Sequence, residues 1–330
     1  VLYAVTSLLM AASLRRRSLL SAGLFAALTT LTACGSSASP TTHAGRARPR
    51  PTPVDPDTAA RQRVGAAITT LLAGYDNAAH PHAELRRGLA AQATALGVTA
   101  SAPPSAAAST PASASASASA SGSPAGGVLA SDASLASGET ALVTLCSTEL
   151  LVTSPALARL LASTAAGAAQ RGSQLGGHLP QAGAASPGRL RPSAAELDAW
   201  QASLAAEEAT VYGYGVLGAQ LSGGPRSQAT SDYQLHRERR DALDAVITSA
   251  GAAPHAAAAA YALPFQVTDA SSARRLAALL ENRLAAVYAN AVQAGTDDFR
   301  ADAATQLRAA ALRALSWGAA PTPFPGLPER

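Results

Sequence analysis

Lysine is absent from this chain, so all 25 of its basic side chains are arginine. Aromatic residues make up only 4% of it, Met occurs once, and Cys occurs twice, as Cys34 and Cys146. Two cysteines exclude a scaffold stapled by several disulfides. The β-branched and aromatic residues that favour strands are scarce, and Ala supplies most of the 48% hydrophobic content. Ala is the best helix former, and a core so short of bulky side chains suits closely packed helices better than facing sheets. The fold class is therefore read as all-α. All-arginine usage points to the base composition of the gene and not to a function.

The formal charge of +4 overstates the basic character. Arg15, Arg16 and Arg17 precede a proposed cleavage site and no acid does, which leaves 22 Arg against 21 acids. From Ser193 to Ala320 there are 10 Arg and 13 acids, a balance of −3. A nucleic-acid binder concentrates positive charge on its folded part, so no nucleic-acid partner is expected.

Residues 1–33 have the layout of a secretory signal: Arg15-Arg16-Arg17, an apolar run from Ser18 to Leu31, then small residues. The run is shorter than the roughly 20 residues that span a membrane. Leu31-Thr32-Ala33-Cys34 resembles the bacterial lipobox. That resemblance implies acylation of Cys34, as in palmitate-bearing lipoproteins, and anchoring to membrane lipid on the extracytoplasmic face of the cell membrane. Arg16-Arg17-Ser18-Leu19-Leu20 also fits a loose twin-arginine pattern, so the export route stays open. Residues 34–57, rich in Ser, Thr, Pro and Arg, cannot bury enough apolar surface to fold and read as a disordered tether. With Cys34 lipidated no intramolecular disulfide can form. Cys146, in an apolar stretch without a neighbouring cation, reads as a small buried hydrophobe and not as a reactive thiol.

Residues 58–98 carry apolar side chains at helical spacing: Val64, Ile68, Leu71 and Leu72, then Leu85, Leu89 and Leu96. His80-Pro81-His82 interrupts them and is read as an exposed turn, because no further metal ligand lies nearby. Residues 99–127, including alternating Ser and Ala, have the composition of a disordered insertion. Helical character resumes over 128–180, where Pro155 after Ser154 suits a first helical turn. The helices flanking the insertion are expected to pack on one another as a region of three. Residues 181–192 read as a linker.

Residues 193–326 predict four helices. Ser193-Ala194-Ala195-Glu196 is a capping box opening the first, which runs to about Leu221 before Gly223-Gly224-Pro225. The second is expected from about Arg226 to Ala250, the third from Asp269 to Ala294, and the fourth from about Asp297 to Trp317. Short, long and short connections give the ferritin-like arrangement of a four-helix bundle.

Several blocks in that order carry a more specific likeness. They are Glu207-Glu208-Ala209-Thr210-Val211-Tyr212-Gly213-Tyr214-Gly215, His236-Arg237-Glu238-Arg239-Arg240-Asp241, Tyr261-Ala262-Leu263-Pro264, Leu279-Leu280-Glu281, Trp317-Gly318 and Phe324-Pro325-Gly326. Together they resemble a bacterial ferritin-like lipoprotein family whose domain has no assigned function. The resemblance implies a four-helix fold and no particular activity.

Metal-using ferritin-like proteins place a Glu on each of two helices and Glu-x-x-His on each of the other two. Here Glu207 or Glu208, His236 and Glu281 supply at most three of those six ligands, Tyr233 stands three residues before His236, and the fourth helix has neither Glu nor His. Glu207, Glu208, His236, Arg239, Arg240 and Glu281 are therefore taken as a polar core or ligand site. In it the carboxylates are neutralised by Arg239, Arg240 and Arg308, because buried carboxylates must be paired. Tyr212, Tyr214 and Tyr288 are expected to pack with satisfied hydroxyls.

The preferred reading assigns no catalytic residue and no cofactor. It makes the chain an envelope lipoprotein whose bundle is a binding or scaffolding module with an envelope protein as partner. One alternative is an iron or manganese site or redox enzyme using Glu207 or Glu208, His236 and Glu281, with Glu208, His236 and Glu281 as the tentative ligands. Another is a carrier of a small apolar ligand, with the Tyr and Gly residues at 212–215 shaping its cavity.

Overall fold

A computed structural model describes residues 54–98, 129–178 and 191–330. The signal at 1–33 with Cys34, nearly all of the tether, the insertion at 99–127 and most of the linker lie outside the described residues. Those that are described form eight α-helices and no strand: α1 Pro56–Asp76, α2 Ala83–Ala95, α3 Asp132–Glu149, α4 Pro155–Gln174, α5 Ala194–Gly218, α6 Gly223–Ser249, α7 Ala270–Ala294 and α8 Asp297–Ser316. The all-α expectation holds.

Helix starts follow from local chemistry. Asp55 accepts a hydrogen bond from the Thr58 backbone N–H at 3.0 Å and a proline opens α1, so that helix begins inside the stretch assigned to the tether. The capping box at Ser193 and Glu196 is formed as expected. Glu196 Oε1 also accepts from the Thr296 backbone N–H at 3.0 Å and its hydroxyl at 2.8 Å, which fastens the start of α5 to the α7–α8 turn. Gly223-Gly224-Pro225 does not end α5 but lies in the first turn of α6. A proline there costs no hydrogen bond, because first-turn N–H groups have no intrahelical acceptor.

Four helices, α1 to α4, precede the last four, where the sequence suggested three. The cause is His80-Pro81-His82, which separates α1 from α2 as a true chain break. His82 Nε2 lies 2.8 Å from Asp132 Oδ1, so this turn is docked on the start of α3. Beside it, Ala78 in the α1–α2 connection and Ala130 just before α3 form an isolated bridge.

The centre of the molecule is α4. Every residue from Leu160 to Gly172 along it is buried, and it packs on α3, α7 and α8. A helix enclosed on all sides needs small side chains so that its neighbours can close in, and Ala162-Ser163-Thr164-Ala165-Ala166-Gly167-Ala168-Ala169 provides them. One hydrophobic cluster runs from Ala60 on α1 through α4 to Leu307 on α8 and Leu327 near the C-terminus. The first four helices thus share their core with the last four.

The segment after α8 completes the cover of α4. Ser163 Oγ donates to the Pro325 carbonyl at 2.8 Å, the Thr322 N–H donates to Gln170 Oε1 at 3.1 Å, and Gln92 Nε2 on α2 donates to the Pro323 carbonyl at 2.5 Å. A Cβ at Gly167 would lie 2.5 Å from both Gln92 Nε2 and Pro323 O.

Gly167→Ala is expected to destabilise the protein by about 1–3 kcal/mol through overpacking, despite the roughly 1 kcal/mol that Ala gains over Gly in a helix. Urea unfolding of the two proteins checks this, and an unchanged or raised midpoint refutes the close approach.

Candidate functional site

The last four helices place eight polar side chains in one connected network through their interior. Glu207 and Tyr214 come from α5, His236 and Arg239 from α6, Glu281 and Tyr288 from α7, and Asp302 and Arg313 from α8, so that each helix contributes two and Tyr214 forms a branch. Glu281 is fully buried and Glu207, His236, Tyr214 and Tyr288 nearly so.

His236 is the centre. Its Nδ1 lies 2.7 Å from Glu207 Oε2 and its Nε2 lies 2.9 Å from Glu281 Oε1. Ionised carboxylates only accept, so both ring nitrogens must donate, which defines an imidazolium. Burial pushes the His236 pKa down, but the charges of Glu281 and Glu207 outweigh it and hold the value up at about 9. In the opposite sense, burial would raise Glu281, and Arg313 and His236 overcome it and hold its carboxyl down at about 2.

Around this centre the two glutamates are held reciprocally. Tyr214 OH on α5 donates to Glu281 Oε1 on α7 at 2.7 Å, while Tyr288 OH on α7 donates to Glu207 Oε1 on α5. Glutamate and tyrosine stand seven residues apart on both helices, two turns along one face, so each helix gives a carboxylate and a hydroxyl to the other. Arg313 Nε donates to Glu281 Oε1 at 3.0 Å. It is also 3.0 Å from Glu281 Oε2, which has no hydrogen-bond partner of its own. At the other end Arg239 donates to Tyr288 OH at 3.0 Å and grips Asp302 with two nitrogens, at 3.2 and 2.6 Å. Glu207, Glu281 and Asp302 face His236, Arg313 and Arg239, and the three charges of each sign balance.

Four of the six polar-core residues expected from the sequence, Glu207, His236, Arg239 and Glu281, stand in this network. Glu208 and Arg240 do not. Glu208, one position from Glu207, is turned about 100° round the helix and faces the α6–α7 connection, where Tyr261 OH and His255 Nδ1 each lie 3.4 Å from Oε2. Arg240 lies on the outer side of α6 against Asp241. The neutralising cations also differ from the expected set: Glu281 takes Arg313, Arg239 serves Asp302, and Arg308 points elsewhere. Of the residues at 212–215, Gly213 faces Leu280 of α7, whereas Tyr214 and Gly215 border a groove of about 320 Å³.

The donor set does not fit a di-metal centre. At the level of Glu281, α8 presents the Arg313 guanidinium where a carboxylate or imidazole ligand would be required. His236 has no lone pair left to coordinate through while both nitrogens donate. Among the described residues no three His, Cys, Asp or Glu side chains are grouped to hold a metal ion. Glu208 stands apart from His236 and Glu281, and it is Glu207 that joins them.

Two further buried networks escaped sequence reading. Arg171 on α4 binds Glu139 on α3 through two nitrogens, at 2.7 and 2.9 Å, while Tyr75 OH donates to Glu139 at 2.7 Å and Gln92 Oε1 accepts from Arg171 at 2.9 Å. Arg300 on α8 donates to the Leu150 and Thr153 carbonyls beyond α3 at 3.1 and 3.0 Å. Cys146 is a free, fully buried thiol pushed up to about 12 by burial, as its apolar setting suggested.

The class defined by these observations is an all-α protein whose last four helices enclose a charge-balanced polar core. Residues 199–329 belong to the family described as Domain of unknown function (DUF4439). A solved structure of a conserved hypothetical protein, rv2844, from Mycobacterium tuberculosis is 36% identical; the match covers 38% of this chain and 96% of that one, with a TM-score of 0.37. No curated protein matches the chain.

The network sets the pH dependence of stability. His236 holds its proton up to about 9 when folded against an ordinary 6.5, so its contribution is complete below 6.5 and lost as pH rises towards 9. Glu281 titrates near 2 when folded against an ordinary 4.5, so its contribution is complete above 4.5 and lost as pH falls towards 2. Urea midpoints measured across pH are expected to form a plateau between those limits, and His236→Gln to remove the alkaline fall; an alkaline limb that persists in the variant sinks the imidazolium assignment. Glu281→Ala strands Arg313 and His236 and should cost about 3–5 kcal/mol, read from the same midpoints at neutral pH.

Proposed function

We propose that the chain is a membrane-anchored lipoprotein of the cell envelope. Its helical bundle, ferritin-like in its short, long and short connections, serves as a binding or scaffolding module and not as a redox centre. One observation carries the second half of this reading: each inner carboxylate has a cation supplied by the fold, Arg313 and His236 for Glu281, His236 for Glu207 and Arg239 for Asp302. Guanidinium groups do not release their charge in proteins. Two divalent cations in the same space would stand beside fixed positive charges that the carboxylates already balance.

The anchoring half rests on Leu31-Thr32-Ala33-Cys34 and on the Pro- and Arg-containing stretch that follows it. A tethered module of this kind meets its partner at the membrane surface, which favours an envelope protein as that partner. Among the described residues no helix is long and apolar enough to cross a membrane, so an acylated Cys34 would be what holds the described helices there.

Aerobic loading of the purified full chain with iron(II) or manganese(II), followed by elemental analysis, is expected to leave only substoichiometric metal. Two tightly held ions per chain, lost on Glu281→Ala, would overturn the non-redox reading. Cys34→Ala is expected to shift the protein from the membrane fraction to the soluble fraction, and a variant that stays with the membrane rules out the lipid anchor.

A further inference from the structure

Arg308, like Arg240, is an expected core cation that the network does not use. It lies mid-way along α8, partly buried, and has no acidic or hydrogen-bonding partner among the described residues. Burial alone acts on it, lowering its pKa without an opposing negative charge. A desolvated guanidinium left unpaired costs free energy, and proteins keep such groups where something outside the fold supplies the counter-charge.

Arg308 lines a cavity of about 500 Å³ between α4, α6 and α8, within the size range of small-molecule sites. Arg313 lines the same cavity, with its Nε committed to Glu281. Gln228 adds an amide from α6, and Ala309 and Leu312 give an apolar wall. Asp232 is the carboxylate on this surface. It accepts from the Trp317 indole N–H at 2.9 Å, and burial together with the Glu281 charge raises its pKa.

We propose that this cavity binds a small oxyanion, a carboxylate or phosphate group on a compact organic molecule, with Arg308 as its principal counter-charge and Arg313 as the second. This deepens the binding-module reading by naming a ligand class, and rests on it. The two fail separately, because a chain that binds no oxyanion can still hold no metal and still carry lipid at Cys34.

The test is calorimetric titration of the detergent-solubilised full chain with inorganic phosphate in one arm and succinate in the other, which distinguishes the two oxyanions. Binding in at least one arm is expected, weakened roughly ten- to hundredfold by Arg308→Gln, as for loss of a charge-assisted hydrogen bond. Arg237→Gln, on the exposed side of α6, is expected to leave binding unchanged. Without ligand, the Tm of Arg308→Gln should equal or exceed that of the parent, since the variant removes an uncompensated cation. Absence of binding in both arms, equal affinity in Arg308→Gln, or a lower ligand-free Tm for that variant would each overturn the proposal.

Discussion

The constraint on which the last four helices depend is the placement of one imidazolium between two carboxylates that cannot reach water. His236 alone would be driven to its neutral form by burial, and Glu281 alone would be driven to protonate. Together they keep one another charged, and the surplus negative charge is met by Arg313. The reciprocal Tyr214 and Tyr288 hydroxyls then fix the rotation of α5 against α7, because turning either helix would break two hydrogen bonds together. In a core rich in Ala, apolar packing discriminates little between neighbouring registers. Directional bonds between buried charged groups discriminate strongly, because an unpaired partner pays its full desolvation.

The first four helices solve the same problem in another way. There α4 is wrapped on all sides, and its small side chains let α3, α7 and α8 approach. One charged pair, Arg171 with Glu139, is built into that dry interface, with Tyr75 and Gln92 completing its hydrogen bonds. Both halves therefore combine a bland apolar surface with a few satisfied polar contacts that each demand one arrangement. The Pro321–Leu327 segment crosses from the end of α8 to α4 and α2, so the two sets of helices are joined by hydrogen bonds between its backbone and side chains of α2 and α4 as well as by their common core.

Helix positions were legible because they follow from local terms: apolar spacing at 3.6 residues, Ser193 with Glu196, and Ser154 before Pro155. The burial of Glu207, His236 and Glu281 was legible for the same reason, since each interrupts an apolar stripe. Partner identity was not. Arg239, Arg240 and Arg308 were the expected counter-charges, but pairing depends on which way α8 is rotated, and that rotation brings Arg313 to Glu281 and carries Arg308 away. The seven-residue spacing shared by Glu207 with Tyr214 and Glu281 with Tyr288 was a readable sign of reciprocity. The centrality of α4 was harder to see, because a run of Ala, Ser, Thr and Gly reads as a weak amphipathic helix until its neighbours are known.

Arg313 ties these levels together. Its Nε belongs to the closed network, while the side chain also borders the cavity that Arg308 lines. Asp232, on the same wall, senses the Glu281 charge and holds the Trp317 indole at the end of α8. Glu281 keeps Arg313 in place, and burial together with the Glu281 charge raises the Asp232 pKa. An interior that merely replaced a metal site by ion pairs would have no need of a guanidinium that stands five residues before Arg313 without a partner among the described residues.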